Sequence, residues 1–223
     1  MSARDNILSR VRQSLNVPQE DSARKQAVVT RLASAPVGVI PDRAKLPHDE
    51  QIELFQAMAE KYSATVTRLA LITDVPRDVA DYLKARNLPA SVRLGSDPLL
   101  AQAGWDQEKT LEVRLGASDG HDLCAVSHAF GGIAESGTLA LVSGEENPTS
   151  LNFLPEYHLV VIRADDIAGD METIFARHRN QFGKGRMPRS LNLITGPSRS
   201  ADIEQTLLLG AHGPRALHIM IIG

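Results

Sequence analysis

The sequence predicts an α/β fold with an open, mainly parallel sheet, helices on both of its faces and an antiparallel excursion. Strand-like apolar runs alternate with amphipathic segments long enough for helical crossovers, as parallel strands require. The 223 residues, of which 43% are hydrophobic, suffice for a sizeable core. Three strand-like runs between residues 123 and 163 have no helix between them. An antiparallel excursion or an inserted hairpin is therefore expected there.

The elements follow one another regularly after Pro47. Ile52, Phe55 and Met58 give residues 49–62 a helical periodicity, and Asp74 is a suitable N-cap for the next helix. The first half of this region is predicted to contain helices at 49–62, 74–86 and 98–103 and strands at 65–73, 91–94 and 111–115. The second half is predicted to contain strands at 123–128, 138–143, 158–163, 190–195 and 216–222 and helices at 170–179 and 200–209.

The first 47 residues differ in composition from the rest. Their start predicts an amphipathic helix with a narrow apolar stripe, formed by Ile7, Leu8, Val11 and Leu15. Such a stripe must dock on its own domain or on a neighbour's. The stretch from Pro18 to Pro47 is rich in Ser, Ala, Arg and Pro, which is typical of a linker or a surface arm. We expect an N-terminal amphipathic helix and proline-containing arm at 1–47 and one α/β domain at 48–223.

Charge and cysteine content exclude several classes of function. The 24 Lys and Arg against 27 Asp and Glu give a formal charge of −3. This balance disfavours non-specific nucleic-acid binding and adhesion to anionic membranes. Cys124 is the single cysteine, which excludes an intramolecular disulfide, a four-cysteine iron–sulfur cluster and a cysteine-built zinc site within this chain. The start does not resemble a signal peptide and no apolar run approaches ~20 residues, so a cytoplasmic location is expected.

Two segments are expected to lie beyond the carboxyl ends of strands, where open α/β sheets bind ligands. The first, Thr195–Glu204, leaves a strand through Gly196 and Pro197 and enters a predicted helix with clustered hydroxyls. Hydroxyls and free backbone N–H groups at a helix start favour an anion, and Arg199 adds a charge-assisted contact. The alternative is a capped helix with no ligand.

The second segment is the glycine-rich loop at 130–138. Gly131 and Gly132 allow a ligand to approach the backbone closely, and Glu135 is a carboxylate held between small residues at a strand entrance. Such a carboxylate can act as a base or a nucleophile. The alternative is a tight turn in which Glu135 is solvated.

The seven histidines are dispersed along the sequence. None forms a His-x3-His pair on a predicted helix, so a metal centre is not expected. His158 precedes the apolar run 159–162, and His212 lies shortly before the last strand. Folding can bring both of them to a site, and the alternative for each is a structural role.

Several short motifs taken together resemble a known family. They are Gly132–Thr138, Leu154–Pro155 with His158–Val161, Thr195–Glu204 and Gly210–Pro214. In order and spacing they resemble the LUD domain of the lactate utilisation protein C family, densely over the C-terminal half and more loosely elsewhere. Ser136 stands where the family more often has Thr, and it preserves the hydroxyl.

The resemblance implies a fold akin to the sugar-phosphate isomerase and CoA-transferase superfamily. It also implies membership of a cytoplasmic system that oxidises L-lactate to pyruvate. The iron–sulfur proteins of that system are separate chains. No cofactor is therefore expected in this chain, and iron–sulfur subunits are expected as its partners. The sequence leaves homo-oligomerisation open.

Three functions stand as hypotheses. The first is a non-redox component of the lactate-oxidising system that binds a small carboxylate or phosphate-bearing ligand between the Glu135 loop and Thr195–Glu204. The second is a stand-alone isomerase or acyl/CoA-transferase-type enzyme that uses Glu135. The third is a purely structural or regulatory subunit. The candidate catalytic residue is Glu135, and the candidate ligand-binding residues are Gly132, Ser136, Gly137, Thr138, His158, Thr195, Gly196, Ser198, Arg199, Ser200, Asp202, Glu204 and His212.

Overall fold

A computed structural model describes residues 2–18, 20–200 and 208–223 of the chain. Contacts divide the chain into two compact units, Met1–Val39 and Ile40–Gly223. Within the described ranges, no helix is long and apolar enough to cross a membrane.

The first unit contains two helices, α1 (Ala3–Ser14) and α2 (Ser22–Ser34). A capping box starts α1, because the Ser2 hydroxyl accepts from the Asp5 backbone N–H and the Asp5 carboxylate accepts from the Ser2 backbone. The predicted apolar stripe of α1 is exposed.

Helix α2 corrects the expectation of a linker across this region. The segment Ser22–Ser34 contains no proline and is rich in good helix formers such as Ala, Arg and Lys. The Asp21 carboxylate caps its start by accepting from the Arg24 backbone N–H at 2.8 Å. The prolines at 18 and 36 flank the helix instead of breaking it.

The second unit is an α/β domain. Its helices are α3 (His48–Lys61), α4 (Val75–Ala85), α5 (Pro98–Ala101), α6 (Thr149–Phe153) and α7 (Met171–Phe182). Its strands are β1 (Thr65–Leu69), β2 (Ser91–Leu94), β3 (Glu112–Leu115), β4 (Cys124–His128), β5 (Gly131–Ile133), β6 (Thr138–Val142), β7 (Tyr157–Arg163), β8 (Ile167–Ala168), β9 (Leu191–Ile194), β10 (Arg199–Ser200), β11 (Leu208–Leu209) and β12 (Ala216–Ile222). Single 3-10 turns lie at Asp42–Ala44, Ile72–Asp74, Trp105–Gln107 and Ala164–Asp166.

The main sheet has six parallel strands in the order β1-β12-β7-β4-β2-β3. A second sheet, in the order β8-β5-β6-β9, pairs β6 antiparallel to both β5 and β9. Its antiparallel hairpin of β5 and β6 is the predicted excursion and lies between β4 and β7 in the chain, whereas β8 and β9 follow β7. A third, short pair joins β10 and β11 in antiparallel register.

Alternate residues of the central strands face two separate cores. Val160 and Ile162 of β7 belong to a cluster with α3 and the second sheet, whereas Leu159 and Val161 belong to a cluster with α4 and α5. Since successive side chains of a strand point to opposite faces, helices cover both faces of the sheet. The predicted fold class is confirmed.

The predicted helix at 200–209 is wrong at both of its ends. Ser200 lies in β10 and Leu208 in β11, and the two residues are partners in the antiparallel register. Residues 201–207 lie outside the described residues. At Ser200 and Leu208, antiparallel backbone pairing therefore takes the place of the expected helix ends.

The turn between β5 and β6 touches helix α3 through backbone alone. Gly137 has φ +64°, and a Cβ at this position would lie 2.6 Å from the Met58 carbonyl carbon and 2.9 Å from the Ala59 Cα. A side chain would therefore be strained in conformation and would collide with main-chain atoms that cannot rotate away. Glycine at this position allows the second sheet to pack on α3.

We predict that Gly137→Ala lowers the free energy of unfolding by about 2 kcal/mol or more, because it combines a left-handed alanine with overpacking. Chemical denaturation monitored by circular dichroism measures this change. Gly144→Ala is the matched control, since nothing lies within 4 Å of its added Cβ. We expect the control to stay within about 0.5 kcal/mol of the parent. Equal losses in the two variants would contradict the packing argument.

Candidate functional site

Two cavities lie at opposite ends of the parallel strands. The first has a volume of about 280 Å³ and is bounded by Thr195–Arg199, His212–Pro214, Asn152, Phe153, His158 and Leu217. His158 and Leu217 are the second residues of β7 and β12, so we name it the amino-end cavity. The second has a volume of about 810 Å³ and is bounded by Asp97–Leu99, His128, Phe130, Val142–Asn147, Arg163 and Asp165–Asp166. His128 and Arg163 end β4 and β7, so we name it the carboxyl-end cavity.

Six of the predicted ligand-binding residues line the amino-end cavity. They are His158, Thr195, Gly196, Ser198, Arg199 and His212. Their expected position beyond the carboxyl ends needs correction, however. Thr195 does follow the end of β9, but β9 belongs to the second sheet, and its end lies beside the amino ends of the main parallel strands.

Hydrogen bonds at Ser198 hold together the two loops that form the cavity wall. The Ser198 backbone N–H donates to the Pro214 carbonyl at 2.8 Å, and the Gly210 N–H donates to the Ser198 carbonyl at 3.0 Å. The Ser198 hydroxyl accepts from the His212 backbone N–H at 3.4 Å. The segment at 195–199 and the loop before β12 therefore form one hydrogen-bonded wall.

A chain of hydroxyls links this wall to the glycine-rich loop. The Thr195 and Thr138 hydroxyl oxygens are 2.6 Å apart, and those of Thr138 and Ser136 are 2.7 Å apart. Thr138 is buried and Thr195 lines the cavity. The two segments identified in the sequence thus meet, with Thr138 and Ser136 connected to the cavity through Thr195.

A buried polar network includes two residues that line the same cavity, Asn152 and His158. The Ser127 hydroxyl donates to Asn152 Oδ1 at 3.1 Å and lies 3.0 Å from His158 Nε2. Because the only hydroxyl hydrogen of Ser127 goes to Asn152, Nε2 must carry the hydrogen on His158. Nδ1 is then a bare acceptor. Burial lowers the pKa of His158 to about 3, so its ring is neutral at physiological pH.

Two atoms of this network have no hydrogen-bond partner in the described structure. They are His158 Nδ1 and Asn152 Nδ2, both buried. His158 Nδ1 is an acceptor, and Asn152 Nδ2 is a donor. A buried polar atom without a partner costs about 1–3 kcal/mol, and a ligand group that supplies the partner would recover that free energy. Both residues line the amino-end cavity, so a ligand group that both donates and accepts is the candidate partner of these two atoms.

Arg199 gives the amino-end cavity a positive charge. Among the described residues that line it, histidines aside, Arg199 alone has a charged side chain. Its guanidinium donates to the carbonyl of Tyr62, which holds the side chain in place. Ser200 lies in β10 next to Arg199, and Asp202 and Glu204 lie outside the described residues.

Glu135 lies at the start of α7. Its Oε1 accepts from the Met171 backbone N–H at 3.3 Å, beside the helix N-cap Asp170. A carboxylate is favourable there because of the positive end of the helix dipole. Glu135 is half-buried and lies outside the sets of residues that line the two described cavities.

The glycines predicted to bind a ligand are in close contact with other parts of the protein. A Cβ on Gly132 would lie 2.9 Å from Ile162 Cδ1 and 3.0 Å from Phe55 Cε2. Gly196 has φ +70°, and its Cβ would lie 3.1 Å from the Tyr62 carbonyl carbon. Gly137 packs on α3 as described above. Packing accounts for all three glycines, although Gly196 also lines the amino-end cavity.

Sequence reasoning missed the pair formed by Asp97 and His128 in the carboxyl-end cavity. His128 Nδ1 lies 3.0 Å from Asp97 Oδ2, while Asp97 Oδ1 accepts from the backbone N–H groups of Leu99 and Leu100. Burial raises the pKa of Asp97, but the hydrogen bonds from His128 and from the α5 backbone outweigh it, so that the pKa lies below its usual value. The sequence signal that could have indicated this pair was the position of His128 as the last residue of a predicted strand, where open α/β sheets bind ligands.

Neither the Cys124 thiol nor a cluster of metal ligands offers a reactive centre in the described part of the chain. Cys124 is buried in β4, and burial raises the pKa of its thiol to about 12, which keeps it protonated. In the part of the chain that the structure describes, no group of three or more His, Cys, Asp or Glu side chains is placed to hold a metal ion.

Comparison with known proteins adds evidence for the family. The model of the LUD domain matches residues 122–222, from β4 to β12. Lactate utilization protein C of Shouchella clausii is 43% identical over 91 residues, which cover 40% of this chain and 39% of that protein. The matched segment thus spans about two fifths of that relative's length.

Longer matches extend beyond the LUD domain. Lactate utilization protein C of Geobacillus thermodenitrificans is 30% identical over 200 residues, which cover 83% of this chain and 78% of that protein. A crystal structure of a DUF162 family protein from Deinococcus radiodurans shares the fold, with a TM-score of 0.55 and 21% identity over 80% of this chain and 99% of that chain. The chain therefore belongs to the LUD-domain family of lactate utilization protein C.

Proposed function

We propose that this chain takes part in lactate utilisation by binding a small 2-hydroxy or 2-oxo carboxylate in the amino-end cavity. Iron–sulfur subunits of the same system would carry the electrons. The observation that supports this ligand most directly is the pair of buried, unpartnered atoms in the cavity wall, His158 Nδ1 and Asn152 Nδ2, together with Arg199. The names of the matched relatives support the link to lactate.

The carboxylate of the ligand would pair with Arg199. A guanidinium and a carboxylate form strong, charge-assisted hydrogen bonds. The carboxyl-end cavity is less suited to an anion, because five carboxylates and one arginine line it among the described residues. The amino-end cavity, at about 280 Å³, lies just below the roughly 300–1,000 Å³ of drug-sized pockets, so it has room for a small acid.

The oxygen on the second carbon would meet His158 and Asn152. A hydroxyl there can donate to Nδ1 and accept from Nδ2, which satisfies both buried atoms. A carbonyl can only accept, and therefore satisfies Nδ2 alone. This difference favours the hydroxy acid over the oxo acid.

Electron transfer would lie with partner proteins. The chain has one cysteine, fewer than the four that an iron–sulfur cluster takes, and the thiol of Cys124 is buried and protonated. The hypothesis that Glu135 is catalytic has a competing explanation in its hydrogen bond to Met171 at the start of α7. We therefore assign the chain the binding step and not the oxidation.

We predict that L-lactate binds more tightly than pyruvate, and that propionate binds at least about tenfold more weakly than L-lactate because it leaves both buried atoms unpaired. Isothermal titration calorimetry on the full chain measures the three affinities. Equal affinity for propionate and L-lactate would overturn the roles of His158 and Asn152. The absence of saturable binding for all three would overturn the proposed function.

We predict that Arg199→Gln weakens L-lactate binding by roughly 10- to 100-fold, since a hydrogen bond to a charged group contributes about 1.5–3 kcal/mol. The matched control is Arg77→Gln, which removes the same charge from an exposed position on α4, on the opposite face of the sheet. We expect the control to retain its affinity. A similar loss in both variants would show that net charge, and not this site, attracts the anion.

We predict that Glu135→Gln leaves L-lactate affinity within a few-fold and changes stability by less than about 1 kcal/mol, because the amide oxygen of Gln can still accept from Met171. Calorimetric titration measures the affinity, and thermal unfolding measures the stability. The control is Glu172→Gln, in the first turn of α7 beside Met171. If Glu135 were a base or nucleophile, activity of a reconstituted lactate-oxidising system would fall about 100-fold instead.

A further inference from the structure

We propose that the carboxyl-end cavity is a second ligand site, which binds an organic cation that combines an ammonium group with an apolar or aromatic portion. This site is independent of the carboxylate site proposed above. It lies at the other end of the parallel strands, and its charge has the opposite sign.

The position of the cavity favours ligand binding. Open α/β sheets bind ligands in crevices beyond the carboxyl ends of their strands, and His128 and Arg163 are the last residues of β4 and β7. The volume of about 810 Å³ falls within the roughly 300–1,000 Å³ of small-molecule sites.

The charge of the cavity selects the ligand's sign. Among the described lining residues, five carry carboxylates, and Arg163 is the sole lysine or arginine. Arg177 Nη1 forms an ion pair with Asp166 Oδ1 at 2.9 Å, and His128 Nδ1 lies 3.0 Å from Asp97 Oδ2. Glu145, Glu146 and Asp165 remain without an ion-pair partner in the described structure. A cation would supply the missing counter-charge.

Two buried acceptors point to N–H donors on the ligand. Asn147 is 6% exposed and lies in the cavity wall, and its Oδ1 has no partner among the described residues while Nδ2 donates to the Val142 carbonyl at 3.3 Å. His128 Nε2 is likewise buried without a described partner. In the tautomer whose Nδ1–H donates to the Asp97 carboxylate, Nε2 is an acceptor. An ammonium group offers three donors to such acceptors.

The remaining wall is apolar and aromatic. Phe130 and Phe182 line the cavity with their ring centroids 5.9 Å apart, and Leu99 and Val142 add aliphatic surface. Aromatic faces attract cations and also bury apolar ligand surface. The site therefore favours an amine with an apolar body over a bare metal ion.

Three probes of one shape test this proposal on the full chain. They are phenethylamine, the neutral 2-phenylethanol and the anionic phenylacetate, titrated by calorimetry at low ionic strength. We expect saturable binding of phenethylamine, at least about tenfold tighter than that of the other two, and weakening as salt screens the carboxylates. Absence of phenethylamine binding, or equal binding of all three probes, would overturn the proposal.

Variants locate the site. The double variant Glu145→Gln and Glu146→Gln should weaken phenethylamine binding about tenfold without loss of folding, because both side chains are exposed. His128→Gln should weaken it as well, by removing the imidazole acceptor. Glu53→Gln is the matched control, an exposed carboxylate on α3 outside the cavity, and should bind phenethylamine as the parent does. Unchanged affinity in both the double variant and His128→Gln would place the amine elsewhere and overturn the proposal.

Discussion

Burial of the central strands on both faces is the constraint on which the rest of the domain depends. Residues 159–162 of β7 are fully buried, and the adjoining β4 and β12 are almost as enclosed. A polar side chain on such a strand must find a partner inside the protein or cost about 1–3 kcal/mol. His158 and Ser127 meet this demand by bonding to each other, and Asn152 of α6 joins them. The two atoms left over, His158 Nδ1 and Asn152 Nδ2, are the feature on which the proposed carboxylate site depends.

The second sheet connects the two ends of the domain. Strand β6 begins at Thr138, whose hydroxyl reaches Thr195 beside the amino-end cavity, and it ends at Val142 in the wall of the carboxyl-end cavity. The acidic loop that follows β6 packs closely on Gly95, where a Cβ would lie 2.8 Å from the Glu146 carbonyl carbon. One antiparallel excursion thus contributes hydroxyls to one cavity and carboxylates to the other.

The strands were predictable because their apolar runs are dictated by burial, and 91–94 and 216–222 match the structure residue for residue. Local composition was a poor guide where non-local pairing decides the outcome, as at Ser200 and Leu208, which pair as strands instead of forming a helix. Composition also predicted a linker or a surface arm around Ser22–Ser34, where a helix forms because helix-forming residues fill the stretch between the prolines. The contacts of both cavities join residues far apart in sequence. Thr138 meets Thr195, and Asp97 meets His128, only after the sheet has formed.

Strand β4 supplies one residue to the polar network of each cavity. Ser127 and His128 are consecutive residues with side chains on opposite faces of the sheet, and each belongs to a different network. Ser127 contacts His158, which lines the amino-end cavity, while His128 contacts Asp97 in the carboxyl-end cavity. Because β4 is packed on both faces, neither side chain can move without disturbing a close-packed core. Both proposed sites therefore depend on the same packed strand, and their opposite charges would select ligands of opposite sign.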